Sequence, residues 1–213
     1  MSRGLFLTLE GIEGAGKSTV AALTGAWLER AGHRVCVTRE PGGTPLAERL
    51  RQIVLEKGEE TLAAVTETLV MFAARAQHLQ GRIRPALERG EWVVCDRFTD
   101  ATRAYQGSGR RFDRALIETL AQAVHGELAP DCTLLLDLPV PLGLARARAR
   151  SGSHSDRFEA ETVEFFERVR AGYLELARAE PQRFRVIDAS RPLAQIESHV
   201  AAILAQLHAG RVL

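Results

Sequence analysis

Asparagine is absent from this 213-residue chain, and lysine occurs only twice, at positions 17 and 57. Without asparagine no Asn-Lys-x-Asp element for reading guanine can exist, and no Leu-Ser-Gly-Gly-Gln run of the transporter-ATPase kind is present. Cysteine is scarce: Cys36, Cys95 and Cys132 are odd in number, far apart and each set in an apolar run. That usage reads as small buried hydrophobes in a reducing cytoplasm, not as a disulfide framework or a metal set. No apolar stretch reaches the roughly 18 residues of a membrane span, and the leading MSRGLFLTLEG is too brief for a signal sequence, so no membrane partner is expected. An excess of one charge is missing too. Lys+Arg of 28 against Asp+Glu of 27 leaves a net charge of +1, so no global field favours nucleic acid and any charge recognition must be local.

What is present is an alternation. Hydrophobic residues make up 46% of the chain and charged ones 26%, enough for one good core in a single domain spanning 1–213. Five short β-rich runs, GLFLTLE, RVCVT, WVVCD, CTLLLDL and FRVID, are bounded by Gly, Pro or charged residues. Between them apolar residues recur at helical spacing: Val20, Leu23, Trp27 and Leu28; Leu62, Val65, Leu69 and Phe72; Leu116, Leu120 and Val124. Near-continuous apolar strands joined by helices predict an α/β fold: a five-stranded parallel sheet flanked by helices on both faces, with ligands at the carboxyl ends of its strands.

One octapeptide then stands out. GIEGAGKS, residues 11–18, follows the first strand and opens the first helix, the context that a G-x-x-x-x-G-K-[ST] phosphate-binding loop requires. Gly11, Gly14 and Gly16 let successive amides of Gly11, Ile12, Glu13, Gly14, Ala15, Gly16, Lys17, Ser18 and Thr19 curl inward around phosphate oxygens, beside the positive end of the helix. Lys17 reaches the β- and γ-phosphates as a compact ammonium, and Ser18 is a ligand for Mg²⁺. Glu13 is notable because a carboxylate near a triphosphate is unfavourable unless a cation or a hydroxyl faces it. A P-loop fixes nucleotide binding but not the reaction. A small-molecule kinase, with donor and acceptor held together, is the class the absences leave.

Three further stretches carry that choice: TREPGGT at 38–44, MFAARAQH at 71–78 and DRFTDATRAYQG at 96–107. With LEGIEGAGKST, REPGGTPLAERLR, PALERG, RARAR and a final DRFE, they run along almost the whole chain and together resemble the thymidylate (dTMP) kinases. The resemblance implies a single-domain P-loop kinase that transfers the γ-phosphoryl group of ATP to dTMP, uses Mg²⁺ and packs as a homodimer through its helices. A kinase for another small acceptor, or a nucleotide-sensing module with little turnover, are the alternatives.

Arg39 and Glu40 leave the second strand at the ligand edge, where Pro41, Gly42 and Gly43 force a turn. The resemblance implies that this loop closes over the acceptor and that Arg51 contacts the pyrimidine side; an ordinary solvated charge is the rival reading of Arg51. Phe72 and Arg75 lie three apart on one helical face, where a ring and a guanidinium can hold a base. The family places its stacking phenylalanine four residues before the arginine, a position held here by Met71, so either Met71 or Phe72 covers the thymine. Asp96 suits Mg²⁺ or its waters, with Asp137 as the competing carboxylate. Arg97 offers a fork for the acceptor phosphate. By resemblance, Thr102 and Gln106 lie near the thymine edge, Tyr105 sits against the sugar where a 2′-hydroxyl would collide, and Glu13 reaches the deoxyribose and metal region.

Some members of that family carry a catalytic arginine directly after the P-loop acid, where this chain has Gly14. LARARARSGSHSDRFE, at 144–159, is the alternative source and reads as a short lid, with Arg150 and Arg157 as candidates for the transferred phosphoryl. Glu159 assists Mg²⁺ by resemblance, and His154 reads as solvated. The acceptor is already an anionic phosphate oxygen, so no general base is needed.

Overall fold

A computed structural model describes residues 3–56, 60–151, 157–158 and 161–210. Its centre is a five-stranded, wholly parallel sheet in the order β2-β3-β1-β4-β5. Strand β1 (Phe6–Glu10) is buried at every residue and feeds α1 (Lys17–Arg30). Next come β2 (Val35–Arg39), α2 (Pro45–Leu55) and α3 (Ala64–His78). A π-helical turn, Leu79–Ile83, continues α3 into α4 (Arg84–Glu88) and β3 (Trp92–Asp96). The short α5 (Thr99–Thr102) runs into a second π-helical segment, Arg103–Gly109, before α6 (Arg114–His125). Strand β4 (Cys132–Asp137), α7 (Val140–Ser151), α8 (Val163–Ala179), β5 (Phe184–Asp188) and α9 (Leu193–Ala209) complete the order.

All five expected strands form, and the chain reverses its strand order at β1. Helices carrying the connections cover both faces, as parallel pairing demands. The order changes side between β3 and β4, so the loops after β1 and β3 open a crevice at the carboxyl edge. Leu7, Leu9, Val94, Leu134, Leu135 and Leu136 are among the strand residues of the main core, with Trp92, Cys132, Phe184 and Ile187. Phe6, Val93 and Cys95 face a second cluster with Leu79, Ile83 and Phe98. No helix among the described residues is long and apolar enough to cross a membrane.

Boundaries move where pairing overrides local pattern. Strand β2 extends to Arg39 because its backbone stays in register with Asp96. The more telling difference is in α3. Periodicity predicts Leu62, Val65, Leu69 and Phe72 as one inward stripe, yet Val65 and Leu69 are 42% and 48% exposed. The buried face is instead Glu67, Thr68, Met71, Phe72, Ala74, Arg75 and His78. Apolar spacing misreads this helix because its inner face carries polar groups that are satisfied by one another.

Candidate active site

The P-loop is built by backbone conformations closed to most side chains. Gly14 sits at φ +72°, and a Cβ there would lie 2.0 Å from the Gly143 carbonyl oxygen at the base of α7. Gly16 caps α1 at φ 87° in the left-handed region, turning the chain so that the first amides of α1 point out of the loop. Lys17 follows immediately and is buried, its Nζ donating to the carbonyls of Gly11 (3.1 Å) and Ile12 (2.8 Å). Burial, with the nearby Arg97 charge, lowers its pKa from 10.5 to about 8, against the pull of Asp96, Glu13 and Glu10.

Ser18 Oγ donates to Asp96 Oδ2 at 2.8 Å, bridging the start of α1 to the end of β3. Two hard oxygen groups beside a phosphate loop fit Mg²⁺, which takes one or two protein oxygens and completes its shell with phosphate and water. The competing carboxylate, Asp137, is occupied otherwise: Arg170 forks onto both its oxygens at 2.7 and 2.9 Å.

Arg97 departs from ordinary backbone, at φ 73°, a non-glycine residue in the left-handed region, which costs of order 1 kcal/mol and persists only where surroundings hold it. They do so. Its Nη1 donates to Gly11 O (2.9 Å) and Tyr173 Oη (3.2 Å), and its Nη2 to Glu13 Oε1 (2.9 Å) and Tyr105 Oη (3.0 Å). The guanidinium carbon also lies 4.7 Å from the Tyr105 ring centroid. Tyr105 donates its hydroxyl to Glu13, so Glu13, placed inside the P-loop by sequence, pairs with a cation and a hydroxyl together.

Behind this group lies Glu10, which sequence reasoning passed over as the end of a strand. It is fully buried, accepting from Phe98 N and the Tyr173 hydroxyl, both at 2.7 Å. Burial, reinforced by Asp100, pushes its pKa up to about 8.

A second buried network joins the β2 loop to α3 and the segment after β3. Glu40 takes Arg75 Nε on one oxygen (2.7 Å) and meets His78 Nδ1 with the other (3.0 Å). His78 Nε2 faces Thr38 Oγ1 at 2.7 Å. Arg75 Nη2 reaches Phe98 O and Thr102 Oγ1, each at 3.1 Å. Gln106, one residue past Tyr105 and fully buried, donates Nε2 to Glu67 Oε1 at 2.6 Å. Among the described residues, buried Arg75 Nη1 and Gln106 Oε1 have no hydrogen-bond partner.

One cavity joins these parts. Glu13, Gly14, Gly16, Lys17 and Ser18 line it on the loop side, and Asp96, Arg97, Ala101 and Tyr105 from the β3 connection. Glu40, Arg51, Leu55 and Met71 line it from β2 to α3, Arg150 from α7, and Phe158 from the stretch before α8. Met71 therefore faces the cavity, whereas Phe72 packs with Ile117 and Ala121 and lies 4.9 Å from the Arg75 guanidinium carbon. Arg75, Thr102 and Gln106 stand behind the lining. Arg51 donates to Pro41 O at 2.9 Å. Of the lid arginines, Arg150 lines the cavity, while Arg157 is engaged by Val54 O (2.9 Å) and Glu67 Oε2 (2.6 Å). Glu159 and His154 lie outside the described residues.

A phosphate-binding loop and residues of the β2–α3 and β3 connections thus border one cavity. The thymidylate kinase family model matches residues 9–200 of this chain. The chain belongs to the thymidylate kinase family. It is 54% identical over 204 residues to the thymidylate kinase of Pseudomonas savastanoi pv. phaseolicola, covering 96% of each. It is 56% identical to that of Pseudomonas syringae pv. syringae, again over 96% of each. The crystal structure of thymidylate kinase from Ehrlichia chaffeensis superposes with a TM-score of 0.76 at 32% identity, over 95% of this chain and 99% of that one. Within this thymidylate kinase fold, Glu10, Glu67, His78 and Tyr173 are the members of the polar framework that motif reading missed. Only Tyr173 and Glu10 had a signal of any kind, a phenol and a carboxylate at otherwise apolar positions.

Proposed function

We infer that this chain transfers the γ-phosphoryl group of ATP to dTMP, giving dTDP and ADP. The observation that carries this reading is the single cavity lined by Lys17 and the P-loop together with Glu40, Met71, Arg97 and Tyr105. The reacting oxygen of dTMP is an anionic phosphate, so the protein supplies position and charge compensation, not a base.

In this reading the amides of residues 11–19 hold the triphosphate of ATP and Lys17 follows the moving phosphoryl group. Arg97 binds the dTMP phosphate; its left-handed backbone and four hydrogen bonds supply the rigidity such a role needs. Tyr105 and Glu13 bound the deoxyribose, and Arg51 and Glu40 bound the acceptor from the β2 loop. Arg75 Nη1, a spare donor, and Gln106 Oε1, a spare acceptor, match thymine O4 and N3–H, with Met71 against the ring and Thr102 fixing Arg75. Within the lid, residues 144–159, Arg150 supplies the transition-state charge. Ser18 and Asp96 would hold Mg²⁺, with Glu159 assisting, and when bound that ion neutralises charge on the donor phosphates.

A homodimer and a cytoplasmic setting complete the proposal. Val65 and Leu69, four apart and exposed on α3, support a helix-to-helix contact. Three free cysteines, two of them buried, support a reducing compartment. The deciding experiment supplies ATP, Mg²⁺ and in turn dTMP, dUMP, dCMP, dGMP or shikimate. Stoichiometric ADP and dTDP from dTMP, with far weaker turnover of the others, is expected; ATP and dTMP binding without turnover would leave the sensing reading.

A further inference from the structure

We propose that Glu67 is a positioning residue that sets which way the Gln106 amide faces, and thereby makes this site select a base with an N–H at ring position 3. The proposal rests on Gln106 reading the base edge, as inferred above.

Glu67 sits on α3 in line with Met71 and Arg75, at positions i, i+4 and i+8, so the three share one face of the helix. The middle member lines the cavity, which puts Glu67 and Arg75 to either side of the same recess. Glu67 is wholly buried, yet two guanidiniums face it: Arg157 Nη2 at 2.6 Å and Arg110 Nε at 3.4 Å. Arg110 is shared with Glu161, through Nη2 at 2.6 Å. A carboxylate compensated in this way only accepts hydrogen bonds.

The consequence falls on Gln106. Its amide has one donating and one accepting end, and the end 2.6 Å from Glu67 must be the NH₂ group. Its oxygen is therefore turned to the opposite side, where it is buried and unpartnered. An unpartnered buried acceptor is costly; a ring N–H relieves it, whereas a ring nitrogen carrying a lone pair, as in cytosine, repels it. Reversing the amide would instead set its oxygen against the carboxylate. Glu67 thus excludes the wrong orientation without touching the base. Its other oxygen, held by Arg157, ties the same carboxylate to the downstream end of the lid.

The test compares full-length Q106A, E67A, E67Q and the E67A/Q106A double variant, measuring kcat/KM for dTMP and for dCMP with ATP and Mg²⁺. Q106A and E67A should each lower the dTMP-to-dCMP ratio by about tenfold or more, as expected when a buried polar partner is lost. The double variant should fall no further than the larger single one, since both remove the same oriented acceptor. Glutamine at 67 still offers an oxygen to the Gln106 NH₂, so E67Q should keep the ratio within about threefold, even where its kcat falls through a weaker hold on Arg157. A ratio unchanged in Q106A would overturn the reading of Gln106 itself. A ratio lowered in Q106A but unchanged in E67A would overturn the role of Glu67 alone. Should E67A not fold, E67M, which fills a similar volume but offers no oxygen to the Gln106 NH₂, takes its place: a ratio lowered as in Q106A upholds the proposal and an unchanged ratio overturns it.

Discussion

Ser18 and Asp96 are separated by 78 positions, yet the serine hydroxyl donates to the aspartate at 2.8 Å. The contact joins the start of α1 to the end of β3, so the residue after the P-loop lysine and the residue before Arg97 are registered to one another. Donor and acceptor ends of the site therefore share a single rigid base. Asp96→Asn keeps the hydrogen bond and removes the charge. It is expected to lower kcat by about a hundredfold and to raise the Mg²⁺ concentration for half-maximal rate, since a charge-assisted oxygen ligand is replaced by a neutral one. Steady-state rates over a Mg²⁺ series decide this, and an unshifted Mg²⁺ dependence counts against Asp96 as the ligand.

Lys17 gives a pH dependence with a definite sign. Its ammonium is the phosphate-binding form, and burial brings its pKa down to about 8. The kcat/KM for ATP, a property of the free enzyme, should therefore decline above about pH 8, not near the 10.5 of an ordinary lysine. Because Glu10 also titrates at about 8, the profile is repeated in Glu10→Gln, where the alkaline limb should persist. A flat profile to pH 9.5 (roughly 1.5 units above the midpoint) in both proteins argues against a depressed Lys17.

Glu10 makes a separate statement about stability. A carboxyl whose pKa rises on folding, here from 4.5 to about 8, contributes stability present in full below the lower value and lost as pH climbs through the upper one. The loss is at most about 1.4 kcal/mol per pH unit. Glutamine does not ionise; its single oxygen can still accept from Phe98 N, and its NH₂ turns to the Tyr173 oxygen as a donor. Thermal melting of Glu10→Gln relative to the parent should thus become more favourable as pH rises from 4.5 to about 8 and level off above that, the window set by the two pKa values. A constant difference across that range contradicts the burial argument.

The two lid arginines are expected to separate cleanly. Arg150→Ala should lower kcat by about 10²–10³-fold, the loss typical of one transition-state charge donor. Arg157→Ala removes a partner of the buried Glu67 and should lower the melting temperature, with kcat reduced less than about tenfold. Equal kcat losses with unchanged melting in both would reverse these assignments.

Replacing exposed Val65 and Leu69 together by glutamate, on α3, should convert a dimer into a monomer in light scattering without unfolding it. A species of unchanged mass shows that the contact lies elsewhere.

How much of this was legible in sequence follows from how local each signal is. The strands and P-loop are contiguous, and their apolar runs and glycines read directly: all five strands form, in one parallel sheet. Thr8 and Glu10 inside β1 did not disturb that reading, since one polar residue in a run is tolerated by pattern. The acceptor side was harder because its face of α3 is charged. Glu67 and His78 give no local sign of a role until Gln106, Glu40 and Thr38 are brought to them by the fold from 38 to 40 positions away. Spacing could nominate both Met71 and Phe72, but only the helix's rotation in the fold turns Met71 to the cavity and Phe72 to Ile117. Likewise no local pattern distinguishes Arg150 from Arg157; Glu67 does.

Gly14 and Gly143 leave no room for a Cβ between their main chains: one on Gly143 would stand 2.7 Å from the Glu13 carbonyl. The root of α7 is therefore keyed to the P-loop. Arg150 rides the same helix seven residues on, about 10 Å along its axis at 1.5 Å per residue. Any tilt of that helix must pivot where it abuts the P-loop, so the reach of Arg150 into the cavity is gauged from the loop's own backbone.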